Sequence, residues 1–404
     1  MQQIAEGYVR LVLAVGQHDP AYVDAYYGPA EWQREADARR EPLDGLTVEA
    51  GALIERLDRA AVEAAPEQVS RRVFLRGQLS AVRARTEQLA GRRFTFDEES
   101  AAFYDAVAPT HPESYFGETL EELERLLPRG GPLIERLDAF REAFIIPRDR
   151  LAPVFEAAIA ESRRQTSARV ALPGEESFSV EYVTDKPWSG YNWYKGGYRS
   201  VIQVNTDLPI YIDRAVDLAA HEGYPGHHLF SLLLEQRLAR ERGWVEFTVY
   251  PLFSPESLIA EGTANFGIDV AFPGDARVRF DHDVLMPLAG LPTREADRYD
   301  AVMRVVARLS YAGNEAARRY LDGLADRSET AAWLTRFALM SAPRAEQRTR
   351  FMDAFRSYVI NYNLGQDLVR AFIEARGGTA ADPDRRWLEF LALLQSPRLP
   401  STLQ

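Results

Sequence analysis

Apolar residues recur at helical spacing through most of the first 170 residues. Between residues 69 and 89, most successive valines and leucines lie three, four or seven residues apart, which is typical of an amphipathic helix. Proline and glycine interrupt the pattern at 18–20, 28–29, 42, 65–66 and 130–132, where helices end or restart. The pattern predicts a helical N-terminal lobe over residues 1–170.

Two short segments, 178–183 and 198–205, instead alternate apolar and polar residues, which predicts strands. An aromatic and glycine-rich connection, 188–197, lies between them. The small β element is either a hairpin that caps the core or an edge strand that pairs with an extended peptide substrate.

A helix is predicted directly after these strands. Thr206 or Asp207 is a suitable N-cap and Pro209 suits the first turn, so the helix would carry His221 near its middle. Helical spacing returns from 294 to 394. The chain is therefore predicted to be mainly α with a small sheet, and to form a second lobe over residues 171–404 or one continuous body with a cleft.

Composition narrows the function classes. The net charge of -12 argues against nucleic acid as a partner, because phosphate binding needs a basic surface. Cysteine is absent, so only His, Asp and Glu could hold a metal. No run approaches the ~20 apolar residues that cross a bilayer, and the apolar run 9–15 is too short for a secretory signal. We expect a cytoplasmic protein with no membrane partner and leave its oligomeric state open.

Residues 221–228, His-Glu-Gly-Tyr-Pro-Gly-His-His, contain three of the six histidines of the chain. A helix with two histidines four residues apart and a glutamate beside the first is typical of zinc peptidases. Here the residue four positions after His221 is Pro225, which cannot donate a backbone hydrogen bond to His221 and distorts a helix. If two residues bulge out, His227 takes the place of the second ligand, which favours His227 over His228.

The other members of a catalytic zinc set are glutamates. Glu222 follows His221 directly, where it would act as general base rather than as ligand. We expect Glu261 to be the third ligand, with Glu256 as the alternative. Three polar residues could orient a ligand from behind or simply line solvated helix faces: Asp217, Asn265 and Asp269.

The motif, followed by Glu-Gly-Thr-Ala at 261–264, resembles the bacterial family called domain of unknown function 885. Its members carry His-Glu-x-x-Pro-Gly-His-His and a later Glu-Gly-Trp-Ala, and Thr263 stands at the tryptophan position. The resemblance covers the C-terminal half and implies a largely helical, gluzincin-like metallopeptidase. It implies His221 and His227 as zinc ligands, Glu222 as base and Glu261 as third ligand.

Gluzincins commonly add a side chain that stabilises the oxyanion, for which Tyr311 is the candidate and His228 the alternative. Four basic residues could hold a substrate carboxylate: Lys186, Lys195, Arg199 and Arg344. The leading hypothesis is a zinc peptidase for short peptides. The alternatives are a metal-dependent hydrolase of another amide or ester, and a non-catalytic protein with a structural metal site in which His228 is the fourth ligand.

Overall fold

The computed structural model describes residues 1–60 and 65–403, and it confirms a mainly α fold with small sheets. The α-helices are α1 Gln2–Gly16, α2 Ala30–Ala38, α3 Leu43–Arg59, α4 Pro66–Leu89, α5 Phe96–Tyr104, α6 Glu113–Leu126, α7 Leu133–Glu142, α8 Leu151–Ser167, α9 Asp213–Leu218, α10 His227–Leu233, α11 Pro255–Ala271, α12 Ala276–Phe280, α13 Met286–Ala289, α14 Ala296–Ala307, α15 Ala312–Leu321, α16 Arg327–Phe337, α17 Ala342–Phe355, α18 Ile360–Glu374 and α19 Pro383–Leu394. Short 3-10 turns occur at Arg148–Arg150, Val245–Thr248, Thr293–Glu295, Arg356–Val359 and Pro400–Thr402. Segments of π-helix occur at Ala219–Gly223, Leu234–Arg240 and Asp281–Leu285.

The strands form two small sheets. They are β1 Val23–Tyr26, β2 Ser177–Val183, β3 Gly190–Gly196, β4 Arg199–Asn205 and β5 Val249–Pro251. β1 pairs antiparallel with β5, whereas β4 lies between β2, to which it is parallel, and β3, to which it is antiparallel. The three-stranded sheet leads directly into the segment that carries the histidines.

The predicted connection 188–197 is in fact mostly strand, so the hairpin is formed by β3 and β4 rather than by the two predicted strands. Gly197 and Tyr198 form its two-residue turn with φ of 62° and 63°, and hairpin turns of this length favour positive φ at both central residues. Asn192 and Tyr194 are buried on alternate positions of β3. The density of glycine and aromatic residues hid this alternation in the sequence.

The predicted start of the motif helix at 206–209 is wrong, because α9 begins at Asp213. The preceding segment pairs with the residues that follow α7: Ile146 N donates to Ile210 O and Ile212 N donates to Phe144 O, each at 2.9 Å. These tertiary hydrogen bonds outweigh the local N-cap preference of Thr206. His221 therefore lies near the end of its helical segment rather than in the middle.

Both large hydrophobic cores combine residues from before and after residue 170. One contains Phe144–Ala158 side chains together with residues 204–403, and the other joins α1, α3 and α4 to buried residues of 249–258 and 316–360. This shared packing favours one continuous body with a cleft, and the boundary at 170 stays a prediction. None of the described helices has the length and apolar character needed to cross a membrane.

Candidate metal centre

The helix that carries the motif is broken between its histidines. α9 continues into the π-helical turn Ala219–Gly223, and α10 begins only at His227. The wide turn is closed by hydrogen bonds from Tyr224 N to Ala219 O (3.2 Å) and from Gly226 N to Ala220 O (2.9 Å), which span more residues than an α-helix allows. His221 thus lies in the last turn of one segment and His227 begins the next.

Gly226 makes this joint possible. A Cβ at this position would lie 1.9 Å from His221 O and 2.5 Å from Ala220 O, far inside van der Waals contact. Pro225 packs beside Gly267 of α11, where an added Cβ would lie 3.1 Å from the proline ring. The Pro-Gly pair therefore folds the chain back on the preceding turn and seats it against α11.

The break brings two imidazoles to one buried carboxylate. His221 Nε2 lies 3.2 Å and His227 Nε2 lies 3.6 Å from Glu261 Oε2, and the two Nε2 atoms are 3.1 Å apart. These three residues are the group in the described chain whose ligand atoms converge within 4.8 Å. Two ring nitrogens and one carboxylate oxygen form the usual donor set for Zn²⁺.

The protonation pattern also fits a cation. Asn265 Nδ2 donates to Tyr362 O at 2.9 Å, so its Oδ1 accepts from His221 Nδ1, also at 2.9 Å. With its proton on Nδ1, a neutral His221 turns an Nε2 lone pair toward Glu261. Within the described residues, Glu261 Oε2 is buried without a hydrogen-bond partner, and such an atom is costly unless something positive satisfies it.

Glu261 is held in its charged form. Burial alone would raise the pKa of its carboxyl group, but positive charge on His227 and His221 outweighs burial and holds the pKa well below its ordinary value. A cation bound between neutral imidazoles would supply that positive charge instead. The second oxygen of Glu261, Oε1, accepts a hydrogen bond from the Tyr358 hydroxyl at 2.8 Å. One oxygen is therefore fixed by tyrosine, while the other faces the two imidazoles.

A close contact between α11 and α18 places these tyrosines. A Cβ on Gly262 would lie 2.4 Å from Gly365 O, and one on Gly365 would lie 2.7 Å from Leu258 O. The two backbones therefore meet directly, which only glycine permits. The contact sets Tyr358 beside Glu261 and the carbonyl of Tyr362 beside Asn265.

Glu222 faces the same space but lies outside the group of three. Its side chain is 4% exposed, and a Cβ on Gly190 of β3 would lie 2.8 Å from Oε1. Asn192 Nδ2 donates to the Glu222 carbonyl at 2.6 Å, which ties the turn to the sheet. Burial raises the pKa of Glu222 to about 7. The charge of His227 acts in the opposite direction, whereas the negative charge of Glu261 raises the pKa further.

Glu222 and the three residues of the group, His221, His227 and Glu261, line one large cleft of about 1260 Å³. β3 contributes one wall through Gly190, Tyr191 and Asn192. Three tyrosines and one arginine from other elements also line the cleft: Tyr250, Arg348, Tyr358 and Tyr362.

His228 lies outside this group. It is fully buried, with Nδ1 2.8 Å from Ser200 Oγ and Nε2 3.1 Å from Glu176 Oε2. Both ring nitrogens are thus engaged on the side of the three-stranded sheet. Tyr311 does line the cleft, where its hydroxyl donates to Asp367 Oδ2 at 2.7 Å, and its role stays a prediction.

Glu256, the alternative third ligand, and two of the possible orienting residues, Asp217 and Asp269, have partners outside the group. The nearest polar partner of Glu256 is Gln78 Nε2 at 3.4 Å. Asp217 pairs with Arg277 at 2.8 Å, and Asp269 pairs with Arg370 at 3.1 Å.

Of the four basic residues proposed to bind a substrate carboxylate, one lines the cleft and three do not. Arg344 lines the cleft, where it donates to Pro209 O at 2.8 Å. Lys186, Lys195 and Arg199 are not among the residues that line it.

Sequence reasoning missed Tyr358, Tyr362 and Arg348. The tyrosines are four residues apart, Tyr358 just before α18 and Tyr362 in its first turn, but this spacing is equally typical of core packing. Nothing local distinguishes them among 18 tyrosines. Their importance follows from the contact of α11 with α18.

No protein-family model matches the chain, and no curated protein matches it. Among solved structures, the chain is similar to a "putative lipoprotein" from Colwellia psychrerythraea, with a TM-score of 0.53, 16% identity and coverage of 89% of this chain and 65% of that one. A "putative lipoprotein" of unknown function from Shewanella oneidensis gives a TM-score of 0.49, 12% identity and coverage of 92% and 74%. The chain thus spans about two thirds of the length of the first structure, and that similarity concerns the fold alone.

Proposed function

We propose that this chain is a metal-dependent hydrolase that cleaves peptide bonds, with one divalent ion, Zn²⁺, held by His221, His227 and Glu261. The observation that carries the proposal is the convergence of two imidazole Nε2 atoms on Glu261 Oε2, at 3.2 and 3.6 Å, with no hydrogen-bond partner for that oxygen in the described chain. An ion held there would supply Lewis acidity toward water and a substrate carbonyl oxygen.

The number of ligands supports a catalytic site over a structural one. Structural zinc sites are closed by four protein ligands, whereas catalytic sites keep a position open. His228, the expected fourth ligand of a structural site, uses both ring nitrogens for Ser200 and Glu176. Three ligands beside a large cleft leave room for substrate.

In this proposal Glu222 acts as the general base and acid. Its carboxylate accepts a proton from the attacking water and passes it to the leaving amine, which restores the starting state. Its pKa of about 7, raised by burial, suits both steps near neutral pH because neither protonation state is strongly favoured. Gly190 leaves space for the Glu222 carboxylate.

The edge of β3 supports a peptide over other amides and esters. Among the strands of the described residues, β3 pairs with β4 alone and forms an edge of its sheet, and its first residues line the cleft. An extended peptide could add to such an edge through main-chain hydrogen bonds. The resemblance to the domain of unknown function 885 family supports the same conclusion, while membership of that family and a cytoplasmic location stay predictions.

Glu222→Gln tests the mechanism. We expect the purified variant to retain one equivalent of metal by elemental analysis and to lose hydrolysis by orders of magnitude, since the ligands are intact and the base is gone. Glu256→Gln, which also replaces a buried carboxyl group, is the matched control and should keep activity. Full activity of Glu222→Gln on a peptide that the parent cleaves would refute the mechanism.

A second experiment tests the substrate class. The parent enzyme is incubated with a library of short peptides and with a panel of acyl amides and esters that lack peptide bonds. Cleavage of peptides is expected. Cleavage restricted to the second panel would replace the peptidase by a hydrolase of small amides or esters.

A further inference from the structure

Most arginines that line the cleft already have acidic partners. Arg277 pairs with Asp217 at 2.8 Å, and Arg370 pairs with Asp269 at 3.1 Å. Such ion pairs neutralise these guanidinium groups before a substrate arrives. They give the cleft a scaffold of balanced charges.

Arg348 of α17 differs from these arginines. In the described chain it makes no ion pair and no side-chain hydrogen bond, and its Nε is buried without a partner. Its guanidinium carbon lies 4.7 Å from the ring centre of Phe351 and 5.7 Å from that of Tyr362. The two rings fix the plane of the guanidinium but leave its donors free.

Arg348 is half-buried, and a charge that is partly removed from water without an acidic partner is costly to a fold. Burial lowers the pKa of Arg348 from its ordinary value, and nearby Tyr362 and Glu261 only partly oppose this effect. Arg344, one turn earlier on the same face of α17, donates to Pro209 O and stacks on Tyr211. Arg348 is thus the cleft arginine whose donors are directed at no residue of the described chain.

Arg348 also lies close to the metal centre. Tyr362 contacts it on one side, with its ring 5.8 Å from the ring of Tyr358, and Tyr358 donates to Glu261. Arg348 and Glu261 are thus linked through two aromatic side chains, and both line the same cleft. A substrate that reaches both would need only a short spacer between its anionic group and its scissile bond.

We propose that Arg348 binds a carboxylate of the substrate, so that the hydrolase acts on short peptides or acylated amino acids that carry a free acid near the scissile bond. This inference rests on the proposed function. A guanidinium fork matches a carboxylate through two parallel hydrogen bonds. The acidic chain, with a net charge of -12, disfavours larger polyanions at the same site.

The test measures binding without turnover. Glu222→Gln is titrated calorimetrically with three versions of one short peptide: a free C-terminal acid, the C-terminal amide, and the amide with a glutamate side chain at the last position. We expect the free acid to bind about tenfold to a hundredfold tighter than the plain amide, the range for charge-assisted hydrogen bonds. Tight binding of the glutamate amide as well would assign the carboxylate to a side chain.

The double variant Glu222→Gln/Arg348→Met should lose the preference for the acid. Arg350→Met is the matched control, because Arg350 is an exposed residue of the same helix that pairs with Glu346 at 3.2 Å. Arg348→Lys keeps the charge without the fork and should keep part of the preference. Equal binding of acid and amide by Glu222→Gln, or an acid preference that survives Arg348→Met in this background, would overturn the proposal.

A stability measurement separates recognition from a structural role. Since Arg348 has no partner to lose, Arg348→Met should unfold at the same or a higher temperature than the parent, and a large drop would contradict the assignment. Failure of the proposed function has a different signature. If the protein binds the acid through Arg348 but holds no metal and hydrolyses nothing, the proposed function fails. If it is an active peptidase that binds acid and amide equally, only the assignment of Arg348 fails.

Discussion

His228 Nε2 lies 3.1 Å from Glu176 Oε2, and neither side chain is exposed to solvent. The same carboxylate accepts a hydrogen bond from the Tyr224 hydroxyl and pairs with Arg163 through its other oxygen. Tyr224 precedes the Pro-Gly break and His228 follows His227. One buried carboxylate thus holds the chain on both sides of the joint that carries a ligand histidine.

Glu176→Ala should therefore weaken both the fold and the metal site. Buried donors of Tyr224 and His228 would lose their acceptor, at about 1 to 3 kcal/mol for each unsatisfied group, so we expect the free energy of unfolding in urea to fall by several kcal/mol. Glu175→Ala, an exposed neighbour, is the control and should change little. An unchanged denaturation midpoint for Glu176→Ala would show that the network does not hold the joint.

Gly226→Ala should break the joint itself. The new methyl group would meet two carbonyl oxygens, at 1.9 and 2.5 Å, and relief of such overpacking costs roughly 1 to 3 kcal/mol or more. We expect a lower free energy of unfolding and loss of bound metal, measured by denaturation and elemental analysis. Gly45→Ala in α3, where a Cβ meets nothing within 4 Å, should be neutral or stabilising. Equal behaviour of the two variants would be incompatible with the close approach.

Asn265→Ala should lower metal affinity without unfolding the protein. Asn265 fixes the Nδ1 proton of His221 and so keeps Nε2 available, and loss of such a partner typically costs about tenfold to a hundredfold in affinity. A competition titration with a chelating dye measures the change. Asp269→Ala, one turn further along α11 and paired with Arg370, should leave the affinity unchanged. A larger effect of Asp269→Ala would reverse the assignment of the supporting residue.

Glu256 should make the fold less stable as pH rises. Burial raises the pKa of its carboxyl group from 4.5 to about 8, so the folded state keeps a proton that the unfolded state releases above its ordinary pKa. Stability is therefore fully present below about pH 4.5 and lost progressively toward pH 8. Urea unfolding at pH 5, 6.5 and 8 should show a steeper decline for the parent than for Glu256→Gln. Parallel declines would mean that Glu256 does not titrate in this range.

The helical body was predictable because apolar spacing is a local property that packing preserves. Local signals failed at the start of α9, where backbone pairing with Phe144 and Ile146 replaced the N-cap, and at β3, where glycine and aromatic residues resembled a loop. In both cases the deciding hydrogen bonds come from residues distant in the sequence.

The candidate site shows the same division. The sequence suggested His221 and His227 because histidine is rare in this chain and Pro225 forbids a regular helix. It suggested Glu261 because a third ligand had to be a carboxylate and the segment 261–264 carried the family resemblance. Tyr358 and Arg348 could not be selected, because their proximity to Glu261 depends on how α17 and α18 pack on α11. His228 was assigned too close to the cleft, since the direction of a side chain after an irregular turn cannot be inferred from spacing alone.

The two-residue insertion at Pro225-Gly226 also changes what sets the separation of the ligands. In a regular helix the rise per turn fixes the distance between histidines four residues apart, whereas here they belong to two rigid pieces. The distance between the two histidines therefore depends on the angle between these two helical segments. That angle is set by the contacts with Glu176 and by the packing of Pro225 against α11 at Gly267. A substitution at either contact would change the distance between the ligands, and so the ionic radius that the site fits, without replacing any ligand.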